Sequence, residues 1–188
     1  MKVVALQGSP RKKGNTAKVL SFVEEELIEL GHEVETIYLN NKNIKGCLAC
    51  GKCKEKPETV GCVQKDDAPE ILQKMVDADL VIFASPLYFW GVTAQLKTII
   101  DRTYSFYVNY HMPGHASLVE GKRQALLLTG GGPYENNAEA TVTAFGRLQK
   151  PHMSVNAGEL YIGQCSTPEN MDEGVKEKSV AFARKISA

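Results

Sequence analysis

Short, almost wholly apolar runs alternate along the chain with longer stretches in which apolar residues recur every three or four positions. Residues 2–7 (KVVALQ) form the first such run and stop at Gly8, which suits a strand buried on both faces. After a polar loop, Leu20, Phe22, Val23, Leu27 and Leu30 recur at helical spacing up to Gly31. Residues 34–39 read as a second strand. Asp67 stands three residues before Glu70 with Pro69 in the first turn, so the spacing predicts a capped helix through Ile71, Leu72, Met75 and Val76. Residues 80–84 are the most hydrophobic strand and run into Ser85-Pro86, after which Val92, Leu96, Ile99 and Ile100 carry a third helix. Residues 124–129 make a fourth strand. Asn136 with Glu139 opens a helix along Val142, Phe145 and Leu148, and residues 154–162 give a fifth strand. Thr167-Pro168 then starts a last helix along Met171, Val175, Phe182 and Ile186.

Five strands, each followed by a helix, with no internal repeat or low-complexity linker, predict a single domain over residues 1–188. The fold class is α/β, an open parallel sheet covered by helices on both faces. Ligands in that architecture sit beyond the carboxyl ends of the strands, at the topological switch point. The loops after the first, third and fourth strands therefore carry the candidate chemistry.

Composition narrows the classes of partner. With 188 residues, 43% of them hydrophobic, the chain can build a core without disulfide or metal staples. Its 22 basic side chains balance 22 acidic ones, which removes the broad field that a sequence-independent nucleic-acid binder or a polybasic membrane-surface protein needs. No apolar run approaches the ~20 residues that span a bilayer, and Lys2 leads straight into a strand-like run rather than a signal segment. The expectation is a cytoplasmic protein with neither nucleic acid nor membrane as partner.

The loop after the first strand, Gly8-Ser9-Pro10-Arg11-Lys12-Lys13-Gly14-Asn15-Thr16, runs directly into a helix. Backbone N–H groups at a helix N-terminus, polar side chains and nearby cations together suit a phosphate dianion. Lys13 stands where a Walker loop needs its second glycine, and Gly-x-Gly-x-x-Gly is absent, so a nucleoside triphosphate or a dinucleotide-type fingerprint does not fit. The loop also lacks a cysteine for a phosphatase nucleophile and an acidic pair for a phospho-acceptor site. A terminal phosphate, bound without chemistry on it, fits best; a polar turn with an Asn15 cap is the plainer alternative. After the third strand, Ser85-Pro86-Leu87-Tyr88-Phe89-Trp90-Gly91 places three consecutive aromatics at the sheet edge, suited to a flat heteroaromatic ring or to another subunit. Thr129-Gly130-Gly131-Gly132-Pro133 lets backbone approach a ligand closely or simply forms a flexible loop.

Five cysteines are present, and Cys47, Cys50, Cys53 and Cys62 fall in one stretch of about residues 40–66. In a chain that needs no staples they point to metal or redox chemistry, with an iron–sulfur cluster, free or redox-active thiols, and zinc all open. Their position after the second strand predicts that they share a sheet edge with the phosphate loop. Cys165 reads as an inert small hydrophobe. His32, His111, His115 and His152 show no metal spacing and read as solvated or capping, and Asp101-Arg102 reads as a helix-end ion pair. The aromatic stretch 104–120 reads as a subunit interface or a ligand cover.

Taken together, Gly8-Ser9-Pro10-Arg11 with Gly14-Asn15-Thr16, Ser85-Pro86-x-Tyr88, the helix from Gln95-Leu96-Lys97 to Asp101-Arg102 and the glycines at 130–132 resemble the NADPH-dependent FMN reductase family of flavodoxin-like proteins, over essentially the whole chain. The resemblance implies a doubly wound sheet of strand order 2-1-3-4-5. It implies FMN with its phosphate at Ser9, Arg11, Gly14, Asn15 and Thr16, and with its isoalloxazine among Pro86, Leu87, Tyr88, Phe89, Trp90, Gly130, Gly131 and Gly132. The cysteines are similar to the motif of the family's iron–sulfur flavoproteins, Cys-x2-Cys-x2-Cys-x(4 to 7)-Cys for a [4Fe-4S] cluster; here eight residues separate Cys53 from Cys62. The resemblance further implies an oxidoreductase that moves electrons from a reduced donor through FMN to an acceptor, with no acid or base catalyst of its own. The donor would be NAD(P)H stacking directly on the flavin or, if a cluster serves the flavin, ferredoxin. A homodimer or homotetramer is expected. A flavin-binding electron carrier and a zinc-stabilised interaction module are the rival classes.

Overall fold

Residues of the first strand point alternately to opposite faces, and both faces are apolar, so the sheet must be covered twice. Val4 and Leu6 enter one buried cluster with Ile71, Leu72, Phe83, Leu96, Ile99 and Phe145. Val3 and Ala5 enter the other, with Val19, Leu20, Val23, Leu27, Phe182 and Ile186. A computed structural model of the chain describes all residues 1–188. Its main sheet comprises β1 (Lys2–Gln7), β2 (Glu33–Tyr38), β3 (Leu80–Pro86), β4 (Arg123–Thr129) and β5 (Val155–Ile162). All neighbours pair in parallel, in the order β2-β1-β3-β4-β5, the predicted 2-1-3-4-5 arrangement. Helices α1 (Asn15–Glu29) and α5 (Glu173–Ser187) pack on one face, and α2 (Ala68–Asp77), α3 (Ala94–Arg102) and α4 (Glu139–His152) on the other. No helix is long and apolar enough to cross a membrane.

The helix starts depart from expectation for identifiable reasons. Asp67 does not cap α2: its carboxylate accepts instead from the Asn43 N–H at 2.8 Å, while Asp66 accepts from the Ala68 N–H. Thr167-Pro168 begins only a single 3-10 turn (Pro168–Asn170), and α5 starts after Asp172, whose carboxylate accepts from the Val175 N–H at 3.0 Å. Glu139 does reach back, accepting from the Asn136 and Asn137 N–H groups, but it is itself the first residue of α4.

The stretch 104–120 is anchored inward at Ser105, Phe106, Tyr107 and Val119, while residues 111–114 are exposed. Phe106 and Tyr107 are buried, and Tyr107–Val108 pairs antiparallel with Ala116–Ser117. Tyr107 and Tyr110 stack, Tyr104 meets both edge-on, and the Lys54 ammonium lies 4.2 Å from the Tyr104 ring and donates to the carbonyls of Tyr104 and Tyr107. The segment thus fastens the cysteine loop to the body of the protein.

Candidate functional site

The carboxyl ends of β1, β3 and β4 and the chain after β5 enclose a cavity of about 140 Å3. Ser9, Arg11, Gly14, Asn15 and Thr16 line one side, Pro86, Leu87 and Tyr88 another, and Gly130 and Gly131 a third. Their placement follows from local bonding. The Gln7 side chain accepts from the Ser9 N–H at 2.6 Å, the Ser9 hydroxyl accepts from the Arg11 N–H, and the Tyr38 hydroxyl donates to the Pro10 carbonyl. Gly8 has to be glycine: a Cβ there would stand 2.8 Å from Leu96 Cβ. Thr16 and Thr129 hydroxyls share a hydrogen bond of 2.7 Å that ties the start of α1 to the end of β4.

The N-terminus of α1 is uncapped. Gly14 precedes it in extended conformation, no side chain accepts from its first N–H groups, and no acidic residue sits in the first turn. Those N–H groups have no intrahelical acceptor, so the dipole's positive end, Arg11 and the open wall together favour an anion. The Asn15 Oδ1 is buried without a partner on the same wall.

The glycine loop is shaped by Tyr161. The tyrosine hydroxyl donates to the Gly132 carbonyl at 2.7 Å and accepts from the Asn137 side chain at 2.8 Å. A Cβ on Gly130 would stand 2.5 Å from that hydroxyl, whereas a Cβ on Gly131 would meet nothing. Gly132 therefore faces Tyr161 and Asn137, off the cavity, while Gly131 keeps the cavity wall bare.

Phe89 and Trp90 also lie off the cavity, at its outer edge. Tyr88 and Gly91 close a two-residue turn by exchanging backbone bonds of 2.9 and 3.1 Å. Both central residues, Phe89 at φ +47° and Trp90 at φ +59°, are left-handed, a conformation that favours Asn-Gly and strains bulky side chains. Both rings are held out to solvent, with Phe89 93% exposed. The Thr141 hydroxyl secures the turn by donating to the Trp90 carbonyl at 2.6 Å. A larger apolar groove of about 440 Å3 between α3 and α4 is walled by Trp90, Phe83, Val92, Phe145 and Leu148 and includes none of the phosphate-loop or glycine-loop residues.

Thr129 and Cys165 line the cavity without having been singled out for it. Thr129 ends β4 and Cys165 follows β5, so position at the carboxyl edge was the available signal. Burial pushes the Cys165 thiol up, and it donates to the Ile162 carbonyl at 3.1 Å, which makes it a wall rather than a nucleophile.

The cysteine loop does not share this edge. It descends alongside α3, from Asn40 near Gln95 to Lys45 beside Arg102. Beyond Arg102, the Thr103 hydroxyl bonds to His152, which bonds to Gln124 at the amino end of β4. All four cysteines line one small pocket with Arg102, Tyr104 and Ser105, toward that amino-terminal edge. Its volume is about 30 Å3. The thiols do not stand in a ready-made metal-ligating group. The donor set nevertheless fits a thiolate-ligated centre, and the exposed turn holding Cys47 and Cys50 is joined to the body by few backbone bonds, so widening the pocket disturbs little structure.

Arg102 is not paired with Asp101, which instead takes Lys97 at 2.5 Å one helical turn back. Arg102 is fully buried and holds Asp66 bidentately at 2.8 and 3.0 Å while donating to the Lys45 carbonyl. Burial alone would raise the Asp66 carboxyl, but hydrogen bonds from Arg102 and from the Lys45 and Ala68 N–H groups outweigh it and hold the group below its ordinary value. His152, expected to be solvated or capping, is wholly buried, and that burial pushes its imidazole down to about 4.

Fold and cavity define an α/β protein that presents an uncapped helix N-terminus, a bare glycine wall and exposed aromatics at one edge of a parallel sheet, the equipment for a phosphorylated flat ligand. The sequence matches the NADPH-dependent FMN reductase family over residues 1–165, and the chain belongs to that family. An iron–sulfur flavoprotein of Archaeoglobus fulgidus is 43% identical over 122 residues, covering 65% of this chain and 51% of that protein. The chain spans about half the length of the curated relatives it matches first. The FMN-dependent NADH:quinone oxidoreductase 1 of Bacillus subtilis is 30% identical over 87% of this chain and 82% of its own. Among solved structures, an FMN-dependent NADH-azoreductase from Bacillus anthracis in complex with FMN superposes with a TM-score of 0.75, covering 100% of both chains at 15% identity, a likeness of fold.

Proposed function

We propose that this chain is an FMN-dependent oxidoreductase that accepts electrons from a reduced donor and passes them to an acceptor. The carrying observation is the cavity itself: uncapped α1, Arg11 and Asn15, whose amide nitrogen donates to the Ser166 carbonyl while its Oδ1 is buried without a partner, meet a bare glycine wall and an aromatic rim. Its volume suits a phosphate and a polyhydroxyl chain, which Ser9, Arg11, Gly14, Asn15 and Thr16 would hold. Pro86, Leu87, Tyr88 and the glycines would border the flat ring, with Phe89 and Trp90 beyond them. Bound FMN supplies the one- and two-electron chemistry; the protein supplies position and shelter.

NAD(P)H is the donor this reading takes first, since the B. subtilis relative is named for NADH. A second reading, an iron–sulfur flavoprotein reduced by ferredoxin, is favoured by the pocket that gathers Cys47, Cys50, Cys53 and Cys62. The test is anaerobic purification and assay for FMN, iron and sulfide, and then reduction by NADH, NADPH and reduced ferredoxin in turn. Flavin with nicotinamide turnover supports the first reading; iron and sulfide with ferredoxin turnover support the second. Absence of bound flavin after incubation with FMN refutes both.

A further inference from the structure

Two buried hydrogen-bond donors have no nitrogen or oxygen to donate to, and both residues stand on the wall of the cysteine pocket. Arg102 Nε and Ser105 Oγ have no partner, and each residue is only 1% exposed. Buried donors left unpaired are rare in folded proteins because they forfeit their hydration for no return. The arrangement around Arg102 makes the vacancy directional. Nη1 is committed to the Lys45 carbonyl and Asp66, and Nη2 to Asp66, so Nε is the guanidinium nitrogen without an oxygen partner, and Cys62 is the sulfur beside the guanidinium. A guanidinium cannot accept a hydrogen bond. The missing partner must therefore be an acceptor, and four of the polar side chains that line this pocket are cysteines, beside Gln64, whose amide nitrogen donates to the Gly46 carbonyl, and Tyr104.

A neutral thiol accepts weakly, whereas metal-bound thiolate or inorganic sulfide carries negative charge and accepts well. We propose that Arg102 Nε–H and Ser105 Oγ–H donate to the sulfur atoms of an iron–sulfur centre held by Cys47, Cys50, Cys53 and Cys62, and thereby set its reduction potential. The proposal rests on the second reading above. Uptake of one electron from a reductant adds one negative charge to the sulfur-rich centre, with no bond broken and no proton moved. Donors aimed at sulfur stabilise that extra charge. Asp66 supports the geometry, because it lies four residues after Cys62 in the chain and anchors the guanidinium from the far side.

The test uses the full chain, reconstituted anaerobically with ferrous iron and sulfide, its iron and sulfide counted, and its potential titrated under electron paramagnetic resonance. Ser105→Ala removes one donor. Arg102→Lys keeps a cation facing Asp66 but has no Nε–H. Ser154→Ala is the control, since Ser154 Oγ is also buried and unpartnered but lies off the pocket. Each pocket variant is expected to lower the ratio of reduced to oxidised centre about tenfold at a fixed potential, a downward shift of ~59 mV for a one-electron couple. The control is expected to match the wild type. If Arg102→Lys does not fold, Ser105→Ala against Ser154→Ala decides the matter. Full iron content with unshifted potentials overturns the role of these donors and leaves the cluster reading standing. Wild-type chain that takes up no iron and sulfide, or holds zinc instead, overturns the cluster reading and this inference with it.

Discussion

Gly130→Ala tests whether Tyr161 shapes the wall of the cavity proposed to hold flavin. The new Cβ would stand 2.5 Å from the Tyr161 hydroxyl and 3.2 Å from its ring, so the loop or the tyrosine has to move. Overpacking of this kind costs about 2 kcal/mol. Tyr161→Phe removes two hydrogen bonds, but their partners keep others: the Gly132 carbonyl still accepts from the Gln164 N–H, and the Asn137 amide still donates to the Pro133 carbonyl. That change costs about 1 kcal/mol. Independent effects would sum to about 3 kcal/mol, but the double variant lacks the atom that clashes, so its cost is expected nearer 1 kcal/mol, a coupling of about 2 kcal/mol. Urea unfolding of the apoprotein measures the stability cycle, and quenching of FMN fluorescence on titration measures the same cycle for cofactor affinity. Additive costs in both assays would refute the close approach as the reason for glycine at 130.

Replacing Phe89-Trp90 by Asn-Gly should stabilise the fold by about 1–2 kcal/mol, because two strained left-handed residues are relieved, while turnover of flat acceptors falls; unchanged turnover would separate the strain from function. His152 titrates at about 4 folded against 6.5 unfolded, so the unfolded chain binds its proton first as pH falls. Stability should therefore drop by about 3 kcal/mol between pH 6.5 and 4, in denaturant titrations of wild type relative to His152→Asn. Tyr107 beside it is pushed up to about 12, chiefly by burial, and stays neutral throughout. Asp172→Ala should lower the melting stability by about 1 kcal/mol, while Thr167→Ala stays within about 0.5, since only the former caps α5.

Periodicity alone was enough for the five strands, the helices on both faces and the three loops that converge on the cavity, since buried parallel strands are continuous apolar runs. Less legible was anything decided by competition between side chains. Asp67 looked like a cap, but the Asn43 N–H claims its carboxylate and Asp66 caps in its place. Asp101 and Arg102 are adjacent and so cannot face each other on a helix. The period of α3 carried the better signal, because Leu96, Ile99 and Arg102 follow one another on the buried stripe, which marks the arginine as an inward residue. The cysteine loop misled because chain position after β2 gives where a loop begins and says nothing of where it goes. Lys54, caught between two tyrosine carbonyls, and Arg102, clamped on Asp66, draw it toward the opposite edge.

Helix α3 joins the two pockets. At its start the Thr93 hydroxyl donates to the Gly8 carbonyl at 2.7 Å, fixing it to the phosphate loop; at its end Arg102 is held by Asp66. Its nine residues span about 14 Å at 1.5 Å per residue. Of the four buried side-chain polar atoms that lack a partner, Asn15 Oδ1 lies on one pocket and Arg102 Nε and Ser105 Oγ on the other. A fold that satisfies nearly every other buried group is incomplete in these two places. A helix pinned at both ends keeps Thr93, at the phosphate loop, and Arg102, at the cysteine pocket, a fixed distance apart. A fixed separation of this kind suits the electron transfer proposed above, since a reorganising scaffold would slow each transfer.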